Sequence, residues 1–313
     1  APLTFSRLPS FLLGRLKLLT KKVLFTITRN NRYRVIGGPK SVLESLERGF
    51  KLLSIPYRLN PWQYRLTGRV GVLSDPDALR YALGQKQKGF VKTIIAGPNI
   101  VTIPTDESNL IKDPMIDKVI VPSDWNKKWW MSFDQVFESK AEVWAAGVED
   151  NGVGRDSGGV CLVYSKNADE KVFQKVMEIL FTYKLSIAVS HYGTFTQEEY
   201  FRLLKKAKML VYLSPSESQG LALNESWMAD VPTLVWSQGF LQYRDKLFED
   251  PTIGAPYLTP QCGLSFKNDG DFEGKLIEFL EKYESFKPRE YSLGSFTDEI
   301  CARKYISIFE QKK

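Results

Sequence analysis

The chain has 313 residues, 43% hydrophobic and 25% charged, enough for two domains that each bury a core, and no apolar run approaches the roughly 18 to 20 residues that span a bilayer. Its three cysteines, Cys161, Cys262 and Cys301, are far apart and its one histidine is His191, which excludes a zinc site, a disulfide framework and multi-histidine metal chemistry and leads us to expect a reducing, cytoplasmic compartment. The net charge of +7 is uneven: Lys and Arg number 18 against 4 Asp and Glu over residues 1–100, 5 against 10 over 101–150, and 20 against 22 over 151–313. A basic first third fits an anionic neighbour, whether a lipid surface, an acidic or phosphorylated acceptor or nucleic acid, and fits equally a solvated face.

In chain order, "LPSFLLGRLKLLTKK" mixes Leu and Phe with Arg15, Lys17, Lys21 and Lys22, as an interfacial anchor or a segment packed on its own domain would. The basic side chains interrupt it too early for a signal peptide. "VLFTIT" (23–28) reads as a strand. A glycine loop follows, then "PKSVLESLERGFKLL", where Val42, Leu43, Leu46, Phe50 and Leu53 share one helical face and Pro39 sits in the first turn. Strands are expected at 70–74, 91–97 and 117–123, with a helix from Asp75 before the second. "SDWNKKWW" (123–130) suits either a ligand-stacking loop or core. At 147–159, "GVEDNGVGRDSGG" has five glycines and reads as a linker or hinge. The alternation restarts with strands at 160–165, 185–190, 209–214 and 231–236, separated by helices, and the tail at 296–311 is an amphipathic helix. Two successive α/β units predict two Rossmann-like domains facing each other across a cleft.

Ligands of open α/β sheets sit beyond the carboxyl ends of the strands, where helix N-termini present backbone N–H groups. "SPSESQGLALNESWMADVPTLVW" (214–236) occupies such a place, with Glu217 in the loop after a strand, Gly220 at the turn and Glu225 about one turn into a helix. Two carboxylates facing one crevice suit vicinal hydroxyls. On spacing alone, Glu225 complementing the helix dipole and a solvated Glu217 fit as well. "YSKNADEK" adds Lys166 at a strand end and Lys171 at the next helix start, where a pyrophosphate is commonly held.

With these residues together, positions 160–290 resemble the donor-binding domain of retaining GT-B glycosyltransferases of the family 4 type. That family's element, written like "PSxxEGFGLxxxEAMAxGxPVV", is matched in register by Glu217, Gly220, Leu221, Glu225 and Pro232, with Pro215, Ser216, Met228 and Ala229 displaced by one or two positions. Its basic pair, like "GRxxxxKG", is matched in spacing by Lys166 and Lys171, with lysine in place of arginine. Asp230 and Val231 depart from the small residue and glycine usual there.

The resemblance implies a two-domain α/β GT-B fold: an acceptor-binding domain over 1–150, completed by a returning helix at 295–313, and a nucleotide-sugar domain over 151–294. It implies that Lys166 and Lys171 hold a diphosphate, Glu225 the ribose hydroxyls and Glu217 the transferred sugar, with amides of Gly220, Leu221 and Ala222 near the sugar and phosphates. Gly37 and Gly38 would line the opposite side of the cleft, and His191 would lie near the nucleotide base. The expected activity is transfer of a sugar, with retention, from a nucleoside diphosphate sugar such as a UDP- or GDP-sugar to a glycan, lipid-linked or other acceptor, with an anionic acceptor or peripheral membrane contact allowed by the charge. No metal, cofactor or nucleic acid is expected. The alternative is a nonenzymatic nucleotide-sugar or polyanion-binding module on the same fold. Asp75 and Asp77 of "DPD" read as a helix start rather than as metal ligands.

Overall fold

The computed structural model describes residues 37–59, 66–152 and 159–311. The expected strand at 23–28 and the basic-apolar stretch at 8–22 lie outside the described residues. Helix α1 (Gly38–Leu52) has Pro39 in its first turn and buries Val42, Leu46 and Gly49 on one face. Strands β1 (Gly68–Ser74), β2 (Val91–Asn99), β3 (Lys118–Val121) and β4 (Ala141–Val143) form a parallel sheet in that order. Helix α2 (Pro76–Gln87) lies between β1 and β2, and α3 (Asp124–Met131) with the short α4 (Phe137–Lys140) between β3 and β4.

The period-two alternation of a strand separates the sheet's two cores. Ile94, Ala96, Val119 and Val121 face α2 and the tryptophans of α3. Ile95 and Ile120 face α1 and the terminal helix α10 (Asp298–Glu310). Trp125, Trp129 and Trp130 are therefore buried core residues, which resolves "SDWNKKWW" away from a stacking loop.

The second unit runs β5 (Val160–Ser165), α5 (Glu170–Thr182), β6 (Ile187–His191), α6 (Gln197–Leu204), β7 (Ala207–Leu213), α7 (Leu221–Met228) and β8 (Thr233–Trp236). A hairpin of β9 (Phe240–Tyr243) and β10 (Lys246–Glu249) follows, then β11 (Gly263–Phe266), α8 (Asp269–Glu281) and α9 (Pro288–Ser295). Its parallel sheet has the order β11-β8-β7-β5-β6. Cys161 and Val163 of β5 with Met209 and Val211 of β7 face α5 and α8, while Leu162, Tyr164, Leu210 and Tyr212 face α6 and α7. The chain leaves β5 for β6 on one side and returns to β7 on the other. That reversal opens a crevice at the carboxyl ends of β5 and β7, where doubly wound sheets bind ligands.

The returning tail joins the two units. Helix α10 lies so close to α1 that a Cβ on Gly49 would stand 2.4 Å from the Asp298 carbonyl oxygen and 2.5 Å from Ala302 Cβ. Arg48 Nε meets Asp298 Oδ2 at 2.5 Å, and Trp144 Nε1 donates to the Cys301 carbonyl at 2.8 Å. The start of the glycine-rich stretch is anchored rather than loose: Val148 N donates to Phe296 O at 2.9 Å, and Asp150 pairs with Arg289 at 2.9 Å. The hairpin, although in the second half of the chain, seats Tyr243 and Phe248 edge-on against Trp129 of α3, at 6.3 and 5.3 Å between ring centres.

Candidate active site

Beyond β7 the loop 214–220 is gripped from both units. Glu217 N donates to Ile253 O at 2.8 Å, and the Glu217 carbonyl accepts Trp125 Nε1 at 2.9 Å. The Gln219 amide closes a two-way bridge to Ala146, accepting from its N–H at 3.0 Å and donating to its C=O at 2.7 Å. A loop tied this way presents its carboxylate in one orientation. Glu217 is 5% exposed. Lys166 Nζ lies 2.8 and 2.9 Å from its two oxygens, and the Tyr212 hydroxyl donates to Oε1 at 2.7 Å. Register explains the arrangement: Tyr164 of β5 pairs with Tyr212 of β7, and their rings stack at 4.8 Å with a 9° tilt.

Glu225 lies across the turn, one turn into α7. Gln197 Nε2 donates to its Oε1 at 2.6 Å. Burial pushes its carboxyl up to about 8, against the opposing pull of the Gln197 hydrogen bond and the Arg48 charge, and Glu149 adds to the rise. Gly220 sits at φ +79°, a left-handed conformation that glycine adopts without cost.

No side chain caps α7 at Gly220 or α1 at Gly37, and the same holds for α3 at Ser123 and α9 at Lys287. By contrast Asp75, Asp169, Thr196, Asn268 and Thr297 cap α2, α5, α6, α8 and α10. Of the uncapped starts, those of α1 and α7 open onto one cavity of about 350 Å³ between the two units. Gly37, Gly38, Ser41, Pro98, Asn99 and Pro122 form one wall, and Lys166, Glu217, Gly220, Leu221, Ala222 and Glu225 the other. Orphan N–H groups and a helix dipole at each start favour an anion between them.

The cavity thus gathers Lys166, Glu217, Gly220, Leu221, Ala222, Glu225, Gly37 and Gly38. It does not gather Lys171 or His191 into its wall. Lys171 is exposed as the second residue of α5, whose start is already capped by Asp169, and His191 is exposed at the end of β6, its ring 5.7 Å from that of Phe173. Tyr164, Tyr212 and Gln197 belong to the wall without having been singled out in the sequence. The two tyrosines could have been found by setting strands 160–165 and 209–214 in register. Gln197 carried no such signal. Asp75 accepts from Asp77 N at 2.8 Å as the cap of α2, and Asp77 pairs with Arg80. Among the described residues no three His, Cys, Asp or Glu side chains group as metal ligands would, and no helix is long and apolar enough to cross a membrane.

No family model matches the sequence, and no curated protein matches it either. Solved structures do match. The lipopolysaccharide outer core galactosyltransferase WaaB aligns at TM-score 0.56 and 14% identity, over 86% of this chain and 80% of its own. Sucrose-phosphate synthase from Thermosynechococcus elongatus aligns at 0.52 and 12%, over 87% and 78%. A variant of S. aureus TarM in complex with fondaparinux, α-GlcNAc-glycerol and UDP aligns at 0.52 and 12% identity, over 75% of this chain. The chain spans only 54% of the length of that TarM. These likenesses establish an architecture: the chain has the α/β GT-B fold, two Rossmann-like units facing across a cleft.

Proposed function

We propose that the protein is a glycosyltransferase that moves a sugar from a nucleoside diphosphate sugar to an acceptor, retaining the anomeric configuration and using no metal. The observation that carries the proposal is the convergence of two uncapped helix starts, Lys166 and two carboxylates on one cavity between the units. A diphosphate suits the amides of Gly220, Leu221 and Ala222 together with the Lys166 ammonium. Glu217 takes hydroxyls of the transferred sugar, and Glu225 those of the ribose. The galactosyltransferase activity in the name of WaaB and the UDP bound to TarM agree with that chemistry.

In the reaction the bond from the sugar's anomeric carbon to the leaving phosphate oxygen breaks, and a bond to the acceptor oxygen forms on the same face. The acceptor proton passes to the departing diphosphate, so no protein base is needed. Lys166 and the two helix starts stabilise the charge that builds on that diphosphate. The acceptor is a glycan or lipid-linked molecule reached from the first unit, and the enzyme works in the cytoplasm, at a membrane surface if the acceptor is lipid-borne.

Incubation with a panel of UDP-, GDP-, ADP- and dTDP-sugars, with free nucleoside diphosphate as the readout, tests the proposal. Release from one of them, unchanged by EDTA and slowed more by Lys166→Ala than by Lys171→Ala, is the expected result. Tight binding without release would favour a nonenzymatic binding module. Loss with EDTA and return with manganese would overturn metal independence.

A further inference from the structure

The Glu225 carboxylate is held before any ligand arrives. Gln197 Nε2 engages Oε1 at 2.6 Å, leaving that oxygen a second lone pair, and Oε2 has no protein partner among the described residues. Gln197 itself is fixed. It is the first residue of α6, whose start is locked by a reciprocal capping box: Glu199 N donates to Thr196 Oγ1 at 3.1 Å, and Thr196 N donates to Glu199 Oε2 at 2.6 Å. One turn further on, the Tyr200 hydroxyl donates to the Ala222 carbonyl at 2.9 Å, and Phe195 stacks on the Tyr200 ring at 5.5 Å. Gln197–Glu225 and Tyr200–Ala222 are two rungs between α6 and α7, and they set the spacing of those helices. Gln197, Phe195, Tyr200 and Glu225 all face the cavity.

We propose that Gln197 is a positioning residue that aims the remaining acceptor lone pairs of Glu225 at a ribose 2′,3′-diol, and that the pair thereby restricts the donor to ribonucleoside diphosphate sugars and rejects 2′-deoxyribose ones. The inference rests on the reading of Glu225 as the ribose ligand. A 2′-deoxyribose would leave one more lone pair of a desolvated carboxylate unmatched than ribose does, and sites built to bind a hydroxyl discriminate strongly against analogues that lack it.

The ionised carboxylate accepts both hydroxyls, so discrimination grows as Glu225 loses its proton. The groups that face it are Gln197 and Tyr200 from α6, Arg48 from α1 and Glu149 beyond β4. Gln197 and Arg48 favour the ionised form, while burial and Glu149 oppose it. Removing the Gln197 amide moves ionisation to higher pH.

The test is calorimetric titration of the whole chain with UDP and dUDP, GDP and dGDP, and ADP and dADP, across neutral to alkaline pH, for the native protein and Gln197→Met. The expected native result is a ribose preference on the order of ten- to a hundredfold with the cognate base. In Gln197→Met most of that preference is lost, its onset moves to higher pH, and the order of base preference is unchanged, which general loosening of the site would not give. Gln197→Asn, one methylene too short to reach Glu225, is expected to behave in the same direction and serves if the methionine variant does not fold. A native protein that binds ribo- and deoxyribonucleotides equally would remove the Glu225–ribose reading and this inference with it. A native ribose preference that survives unchanged in the Gln197 variants, with the same pH profile, would overturn the role of Gln197 alone.

Discussion

Glu225 binds its proton more tightly in the folded protein than in the unfolded chain, because burial raises its carboxyl from an ordinary 4.5 to about 8. Between those values the native state keeps a proton that the unfolded chain has released. Its contribution to stability is therefore full below 4.5, declines as pH rises through the window and is gone above about 8. Glu225→Gln carries no such dependence, so its melting temperature is expected to rise relative to the native protein across that window and then to level. A gap independent of pH would show that the carboxyl is not raised. Tyr212→Phe removes only the hydroxyl that donates to Glu217 at 2.7 Å. A hydrogen bond to a charged group is worth about 1.5 to 3 kcal/mol, so roughly a tenfold or greater loss of turnover is expected, with nucleoside diphosphate affinity unchanged. The two glutamates were legible because their spacing spans a strand end, a glycine and a helix start. Tyr212 and Gln197 were not, because their roles depend on which strand and which helix lie alongside.

At the scale of elements, one glycine and one tryptophan have definite costs. Gly220→Ala places a side chain at φ +79° with its Cβ 3.2 Å from Leu223 Cδ1. The left-handed conformation alone costs about 1 to 2 kcal/mol, and chemical denaturation should read a loss of at least that size. Trp129→Ala unseats the hairpin of Tyr243 and Phe248 from α3. A loss of about 3 to 5 kcal/mol is expected, as for other buried tryptophans, and a change within 1 kcal/mol would mean that the hairpin does not depend on that seat. The central strands were readable because parallel strands buried on both faces are written as short apolar runs. The hairpin was not: only Leu241, Tyr243 and Phe248 point inward, and its turn at Arg244, φ +54°, carries neither glycine nor asparagine. Strand β4 is three residues long, too short for a period to show.

The whole molecule divides its charge and its chemistry. The groups of the second unit that line the cavity occupy a part of the chain that is nearly neutral, whereas residues 1–100 carry 18 basic against 4 acidic side chains. Attraction between exposed basic groups and an anionic acceptor decays over about 10 Å at 0.1 M salt. The Michaelis constant for the acceptor is therefore expected to rise with ionic strength more steeply than that for the donor, and an acceptor constant flat in salt would leave the basic third as a solvated face. The likeness to GT-B structures was legible from one 21-residue element, residues 215–235, but the grip of the first unit on that element was not. Trp125 and Gln219 touch residues 92 and 73 positions away, and no local pattern encodes such contacts. The central claim is that one cavity divides the donor between two carboxylates, and turnover measured beside nucleoside diphosphate affinity in Glu217→Gln tests it most directly. Turnover is expected to fall by roughly a hundredfold or more, as when a single transition-state contact is removed, with affinity unchanged. A variant that kept its turnover, or lost affinity as far as Glu225→Gln does, would contradict that division.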